Sequence, residues 1–494
     1  MANVDLVVEN GKIVIPPGVI EGWVAIDKGK FVALGQGKAF PEGRKVIDAK
    51  GNFVLPGIVD PHGHPGGKYD LADDWRTESP GAAAGGITTV GAIVRVPRMG
   101  QKPFKEIPGP EDVVSWVDVF ESGKKAGEEN SLVDFFYTPT LNSQQHADEI
   151  PDYYHKLGIT SFKYHGNLKV HGDNPVSPQW SARIGIPLPY DDSLAYLMFE
   201  ACGKLGKPAH VQVHNENVEV AKVFVERLKA AGRKDSGAWP DRIPQWLEAE
   251  HINRYAYFSK VTGGALYVLH LSTVAGLEEC IHQKDEGVEV YVETCPQYLL
   301  VSAYDEFPGV LTKVNPPLRN REVHDRLWEG LAKGEIEIMG TDHVVTSLHE
   351  KLVKGDTSDH KGDPAKDVWE TGSGFVGWDF LLPLMLSEGV NKGRISMERL
   401  VEVCCENPAR VCAVYPKKGV IAPGSDGDLV IVDMGATRTM KPDMLHSKAD
   451  FTIYEGMEVT GWPVMTILRG EVICENGDVT NRKGGGKYLH RPCG

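Results

Sequence analysis

The sequence predicts an α/β fold, a (β/α)8 barrel of the TIM type with a smaller β-sandwich built from both ends of the chain. Three observations lead there. The chain has 494 residues, about three times the ~150 of a typical domain, which leaves room for a large barrel and a second unit. Both ends are rich in short apolar bursts separated by Gly, Pro, Asn or Asp, the mark of strands joined by turns. The middle alternates short apolar runs with longer stretches of helical period, the pattern of a parallel sheet with helical crossovers. The expected division is 1–55 with 415–494 for the sandwich and 56–414 for the barrel.

At the N-terminal end the strand-like bursts are Leu6–Val8, Lys12–Ile15, Trp23–Ile26 and Phe31–Leu34. At the other end they are Asp428–Asp433, Phe451–Tyr454, Met465–Leu468 and Glu471–Cys474. Both sets are read as short antiparallel strands. Between them, helical periodicity covers Ser193–Leu205, Asn217–Ala231, Glu248–Val261 and Glu322–Leu331. A stretch rich in Gly, Pro and polar residues, 165–190, reads as an insertion over the mouth of the site, where barrel loops carry function.

Composition narrows the function. Hydrophobic residues make up 41% and charged residues 24%, as in globular proteins, while 55 glycines exceed the usual ~7% and predict many tight turns. The net charge of −15 repels phosphate backbones, and no basic stripe offsets it, so nucleic acid is not an expected partner. The eight cysteines form no C-x-x-C pair and no disulfide-like spacing, and they read as reduced thiols. The chain start lacks the basic and apolar segments of a signal peptide, and no apolar run approaches the ~18 residues of a membrane span. A cytoplasmic protein with no membrane partner is expected.

The strongest local signal is Pro56-Gly-Ile-Val-Asp-Pro-His62-Gly-His64. On a strand, His62 and His64 at i and i+2 share a face and can hold one metal ion. Further ligand types end later strand-like runs. Lys163 closes Gly158–Lys163, His214 closes Ala209–His214, His270 closes Ala265–His270, and Asp342 follows Ile336–Thr341. From His62 the gap is 101 residues to Lys163, then successively 51, 56 and 72; at ~31 residues per βα unit with insertions, the five runs fall on barrel strands 1, 4, 5, 6 and 8, at the C-terminal face where barrel active sites lie. Singly, each has an ordinary alternative: a core or surface histidine, a helix cap for Asp342, a solvated strand-end Lys163. In order behind H-x-H, they point to a metal site. His210 shares the face of His214, but Asn215-Glu216-Asn217 directly after His214 marks the latter as the strand end.

With these residues in view, the sequence resembles the amidohydrolase superfamily, in its dihydropyrimidinase, hydantoinase and allantoinase branch. The matching stretches are Pro56–His64, Gly85–Thr89, Ser161–Lys163, Val213–Asn217, Leu269–Ser272, Glu293–Tyr298, Pro316–Arg319, Gly340–His343, Asn407–Ala409 and Lys418–Leu429, in family order. The resemblance implies two divalent metals, usually zinc. His62, His64 and Asp342 match the ligands of one, His214 and His270 those of the other, and Lys163 matches the lysine that is N-carboxylated to bridge them. An ammonium group would repel a dication, whereas the carboxylated form is an anionic two-oxygen ligand. The implied reaction is hydrolysis of the carbon–nitrogen bond of a cyclic amide by water activated on the metals, with Asp342 as general acid and base. Cys295 lies in the stretch that resembles the family's substrate-holding backbone, and the resemblance also suggests a homotetramer.

Some specificity features depart from the family. Five residues after the lysine, where hydantoinases carry a tyrosine that binds the developing oxyanion, this chain has Leu168. Tyr164 and His165 are the replacements to consider as substrate contacts; of the two, His165 shares the face of Lys163. Pro65-Gly66-Gly67 follows H-x-H in place of an arginine, which argues against dihydroorotase. The family's Pro-Asn-Gly stretch is missing near Thr371–Gly374. A small cyclic amide, imide or ureide is the expected substrate, with the dihydropyrimidinase or hydantoinase reading ahead of allantoinase. Other readings are a lactonase or deaminase using the same metals, and a non-catalytic scaffold. The scaffold reading sits poorly with the retention of all six ligand positions.

Overall fold

The computed structural model describes residues 3–16, 18–37, 39–95, 114–166, 191–352, 367–480 and 484–491. Leu168 and the 165–190 insertion from 167 onward lie outside the described residues.

The N-terminal strands are β1 (Val4–Ile15), β2 (Gly18–Asp27), β3 (Lys30–Gln36), β4 (Gly43–Asp48) and β5 (Phe53–Pro56). Leu6–Val8 and Lys12–Ile15, read as two bursts, are one strand with a register shift between Val8 and Gly11. That strand pairs with β2 on one edge; on its other edge β4 takes the first half and β5 the second, both in parallel. The purely antiparallel expectation is thus corrected: the sheet branches along β1 and folds into two layers around Leu6, Val8, Ile13, Val24, Ile26, Val54, Leu429, Ile431 and Ile467.

Eight further strands form the barrel: β6 (Ile58–Gly63), β7 (Ile87–Val94), β8 (Asp134–Pro139), β9 (Ser161–Tyr164), β10 (His210–Val213), β11 (Ala265–Val268), β12 (Val290–Thr294) and β13 (Ile338–Met339). They pair in parallel as β6-β7-β8 and β9-β10-β11-β12-β13. Two parallel bridges close the ring, Thr140 with Lys163 and Gly63 with His343. At the second, the His64 N–H donates to the His343 carbonyl at 2.9 Å. The expected helices appear as Asp192–Leu205, Val218–Ala230, Gln245–Thr262 and Glu322–Lys333. Their ends follow from the residues there: Asp191 and Asn217 accept N-terminal N–H groups, and Gly263 and Gly334 turn left-handed at the C-termini.

The chain returns to the sandwich through β14 (Leu429–Thr439), β15 (Glu458–Leu468), β16 (Glu471–Glu475) and β17 (Asp478–Val479). Phe451–Tyr454, expected as a strand, is an irregular segment. All four of its side chains are buried, so it lacks the alternation of inward and outward faces that a two-layer sheet requires, and Phe451, Ile453 and Tyr454 pack into the large core around the barrel.

The end of the chain also departs from the expected division, which placed all of 415–494 in the sandwich. The tail runs along β8, where Tyr488 forms a parallel bridge with Phe135 and the Leu489 N–H donates to the Phe135 carbonyl at 2.7 Å. Arg491, fully buried, donates to the Tyr137 carbonyl at 2.7 Å, Ser161 Oγ at 2.8 Å and the Gly158 carbonyl at 3.2 Å, and lies over the Phe136 ring. Lys418 ties sandwich to barrel: its Nζ lies 2.5 Å from Asp134 on β8 and 2.6 Å from Asp428 beside β14, with Asp426 at 3.0 Å. A lysine at the centre of these three carboxylates already supplies the cation that such a cluster needs.

Arg491→Ala is expected to lower stability by about 2–4 kcal/mol, because it removes three buried hydrogen bonds and the packing over Phe136. Urea unfolding measures this, with the exposed Arg44→Ala as a control expected within about 0.5 kcal/mol of the parent.

Candidate metal and catalytic site

The six expected ligands come from five strand ends on one face of the barrel. Strand 1 delivers His62 and His64 with a buried backbone throughout β6. His62 Nε2, His64 Nε2 and Asp342 Oδ1 converge at separations of 3.2, 2.9 and 3.3 Å. Two donors ~2.0–2.1 Å from a tetrahedral zinc sit roughly 3.3 Å apart, so this donor set fits one such ion. His270 and His214 stand beside it: their ring centroids are 4.4 Å apart, and His270 lies 5.3 Å from His62. Lys163 closes the group electrostatically, acting on His62, His214 and Asp342.

Two of these residues have a backbone that ordinary side chains rarely adopt. His270 has φ of 38° and Asp342 φ of 54°. Positive φ outside glycine costs energy and persists where the surroundings enforce it, often at functional sites. Both residues stand where the chain turns off a barrel strand, and the turn carries the side chain into the mouth.

Burial sets the charge states. It lowers the Lys163 pKa to about 7, which leaves much of the amine uncharged near neutrality and therefore nucleophilic toward carbon dioxide. Burial also lowers His64 to about 4 and pushes His270 and His214 down, so these imidazoles are neutral and able to ligate. His62 is the exception: burial opposes its charge, but Glu293 and Asp342 outweigh that and raise its pKa. For Asp342 burial favours the neutral acid, yet His62, His64 and Lys163 prevail and keep it below the usual carboxylate value.

The remaining expected residues separate. His165 reaches the same chamber, with its ring 6.4 Å from His214 and Nε2 3.5 Å from Thr140 Oγ1. Tyr164 does not; strand alternation turns it outward into the barrel–helix layer, where it packs against Tyr255 at 5.7 Å. The expectation of a substrate contact at Tyr164 is corrected on that ground. Cys295 precedes the short helix Pro296–Leu300 with its thiol packed in the large core, where burial holds it well above the ordinary pKa, so any contact with substrate falls to the backbone of this stretch. His343 stacks on Trp378 at 4.0 Å, and its Nδ1 accepts from the Gly377 and Trp378 N–H groups, which makes it a brace of the loop beside Asp342.

Three buried carboxylates escaped the sequence reading. Glu293 Oε1 lies 2.7 Å from His62 Nδ1, and Glu216 Oε2 lies 2.5 Å from His214 Nε2, with Arg242 3.1 Å from the other Glu216 oxygen. Each fixes which ring nitrogen is left for a metal: Nε2 of His62 and Nδ1 of His214. Asp60 accepts from the Trp378 indole at 2.7 Å and the Thr341 hydroxyl at 2.6 Å, which joins strand 1 to strand 8. Their signal in the sequence is a carboxylate embedded in an apolar strand or standing two residues from a ligand.

Comparison with known proteins agrees with this geometry. The model of the amidohydrolase family matches residues 168–473. The L-hydantoinase of Paenarthrobacter aurescens is 33% identical over 99% of this chain and 98% of its own length, and the D-hydantoinase of Ralstonia pickettii is 30% identical over 99% of both. Among solved structures, the L-hydantoinase (dihydropyrimidinase) from Arthrobacter aurescens superposes with a TM-score of 0.84 at 32% identity, covering 98% of this chain and 99% of that one. The dihydropyrimidinase from Brevibacillus agri gives 0.83 at 26%, covering 99% and 98%. A barrel that gathers His62, His64 and Asp342 at one point, in a chain matched end to end by these relatives, belongs to the amidohydrolase superfamily, in its hydantoinase branch.

Proposed function

We propose that this chain hydrolyses the carbon–nitrogen bond of a cyclic amide of the hydantoin or dihydropyrimidine type, using two divalent ions. The observation that carries the reading is the convergence of His62, His64 and Asp342 within 3.3 Å. His62, His64 and Asp342 would hold one ion, His214 and His270 the second, and Lys163, N-carboxylated, would join them; imidazole and carboxylate donors suit zinc. When bound, the ions acidify water and polarise the carbonyl under attack.

The protein's own groups supply the rest. Asp342, kept ionised among His62, His64 and Lys163, takes the proton from the attacking water and hands it to the departing ring nitrogen. His165, kept neutral mainly by burial, is the candidate contact for the substrate's carbonyl or its ring N–H. Relatives named L- and D-hydantoinase and dihydropyrimidinase support a small cyclic amide as substrate.

The proposed units are the barrel over 56–414 and the sandwich over 1–55 with 415–494, less the tail that packs on β8. We also propose a cytoplasmic homotetramer. The seven described cysteines are all free and buried, as expected in a reducing compartment. Among the described residues, no helix is long and apolar enough to cross a membrane.

Metal analysis of purified protein is expected to find about two divalent ions per chain, and chelation to abolish turnover until zinc returns. Protein that is fully active without stoichiometric metal contradicts the mechanism.

Asp342→Asn is expected to lower kcat by about 10²–10⁴-fold, the usual worth of a general acid–base, in steady-state assays. Lys163→Ala should lose bound metal as well as activity.

A panel of hydantoins, dihydrouracil, allantoin, succinimide-type imides and lactones tests the substrate class. Turnover of hydantoins or dihydrouracil is expected, and activity confined to lactones overturns the reading. Light scattering should give about four times the 54.1 kDa chain mass.

A further inference from the structure

Glu293 stands on the inner face of β12, fully buried, at the point where the two groups of ligands meet. Three donors converge on its carboxylate. Oε1 takes His62 Nδ1–H at 2.7 Å and the backbone N–H of His270 at 3.1 Å, and Oε2 takes the Tyr267 hydroxyl at 2.8 Å. Its own carbonyl accepts from the Leu271 N–H at 2.7 Å, so the chain on the far side of His270 is held as well. Strand 8 makes room for it: a Cβ at Gly340 would stand 2.9 Å from Glu293 Cδ and 3.1 Å from Oε1.

One carboxylate thus does two different jobs. Toward His62 it fixes a side chain, since an imidazole that donates from Nδ1 presents the Nε2 lone pair to the point shared with His64 and Asp342. Toward His270 it fixes a backbone, since the bond to the N–H and the bond from Leu271 flank a residue held at φ of 38°. His62 and His270 belong to different ions in the proposed function. Glu216 is the contrast: it meets His214 alone among the proposed ligands and is held in turn by Arg242.

We infer that Glu293 is a positioning residue that couples the two metal sites, one carboxylate setting the imidazole of a ligand to the first ion and the backbone of a ligand to the second. The inference rests on the binuclear reading above. It requires that disturbing Glu293 weaken both ions.

Two variants separate charge from position. Glu293→Gln keeps an oxygen facing His62 and His270 and can turn its amide toward the Tyr267 hydroxyl, so it removes mainly the charge. Gly340→Ala keeps the carboxylate and displaces it. Zinc titration against a competing chelator gives two dissociation constants for each protein, and cobalt-substituted spectra report the ligand fields. Thermal unfolding of the metal-free proteins reads the purely structural contribution. Both variants are expected to raise both dissociation constants by about 10–100-fold, the usual cost of losing a group that orients a ligand, and to shift the cobalt bands, by more than any change in metal-free unfolding accounts for. If the parent binds two ions and the variants bind both within twofold as tightly, or lose only one, the coupling is overturned while the proposed function stands. If the parent binds no stoichiometric divalent metal, the proposed function falls and this inference with it. If Glu293→Gln does not fold, Gly340→Ala alone decides by the same criterion.

Discussion

The whole site depends on closing the barrel between its first and last strands. His62 and Asp342 are far apart in sequence, yet His62 Nε2 and Asp342 Oδ1 come within 3.3 Å because the chain after β13 bridges back to β6. That closure is held by buried polar contacts. Asp60 on strand 1 takes the Thr341 N–H and hydroxyl from strand 8 and the Trp378 indole from the next segment, and Trp378 stacks on His343. With its acceptors filled, Asp60 is tolerable at full burial even though burial raises its pKa to about 6. The same carboxylate accepts the His62 N–H, so the seam of the barrel and His62 are fixed together.

A site that gathers this many ionisable groups out of water must balance their charges. Glu293 and Asp342 face His62, and Glu216 lies between His214 and Arg242. Each histidine that carries a carboxylate on one nitrogen leaves the other for a ligand role, and desolvation keeps its neighbours His64 and His270 neutral. The barrel interior below is mixed: Ile93, Tyr267, Leu269 and Ile338 form an apolar layer, while His210 stacks on Tyr267. Burial and pairing act together here, and either alone would leave an uncompensated charge.

Much of this was legible in the sequence because it lies in strand ends and spacing. His62 and His64 at i and i+2, and ligand types closing runs at 163, 214, 270 and 342, read directly onto strands 1, 4, 5, 6 and 8. What stayed hidden depends on contacts between distant segments. Glu293 and Asp60 sit inside apolar strands, and nothing local says that one faces His62 and the other Thr341. Tyr164 and His165 are neighbours in sequence, and their opposite placement follows from which face of β9 is inward. Phe451–Tyr454 has the residues of a strand but is buried on every side, and only the packing reveals that no sheet edge awaits it. The tail at 486–491 carries no pattern that assigns it to the barrel and not the sandwich.

That tail has a consequence for how the chain assembles. Arg491 bonds to groups at 137, 158 and 161, so contacts beneath strands 3 and 4 of the ring form only when a segment more than 300 residues further along arrives. Contacts of such long sequence separation are slow to form, since a large loop must close before they reward it. Docking of residues 486–491, with Leu489 and Arg491 packed on Phe136, therefore follows the closure of that loop and completes the layer under strands 3 and 4.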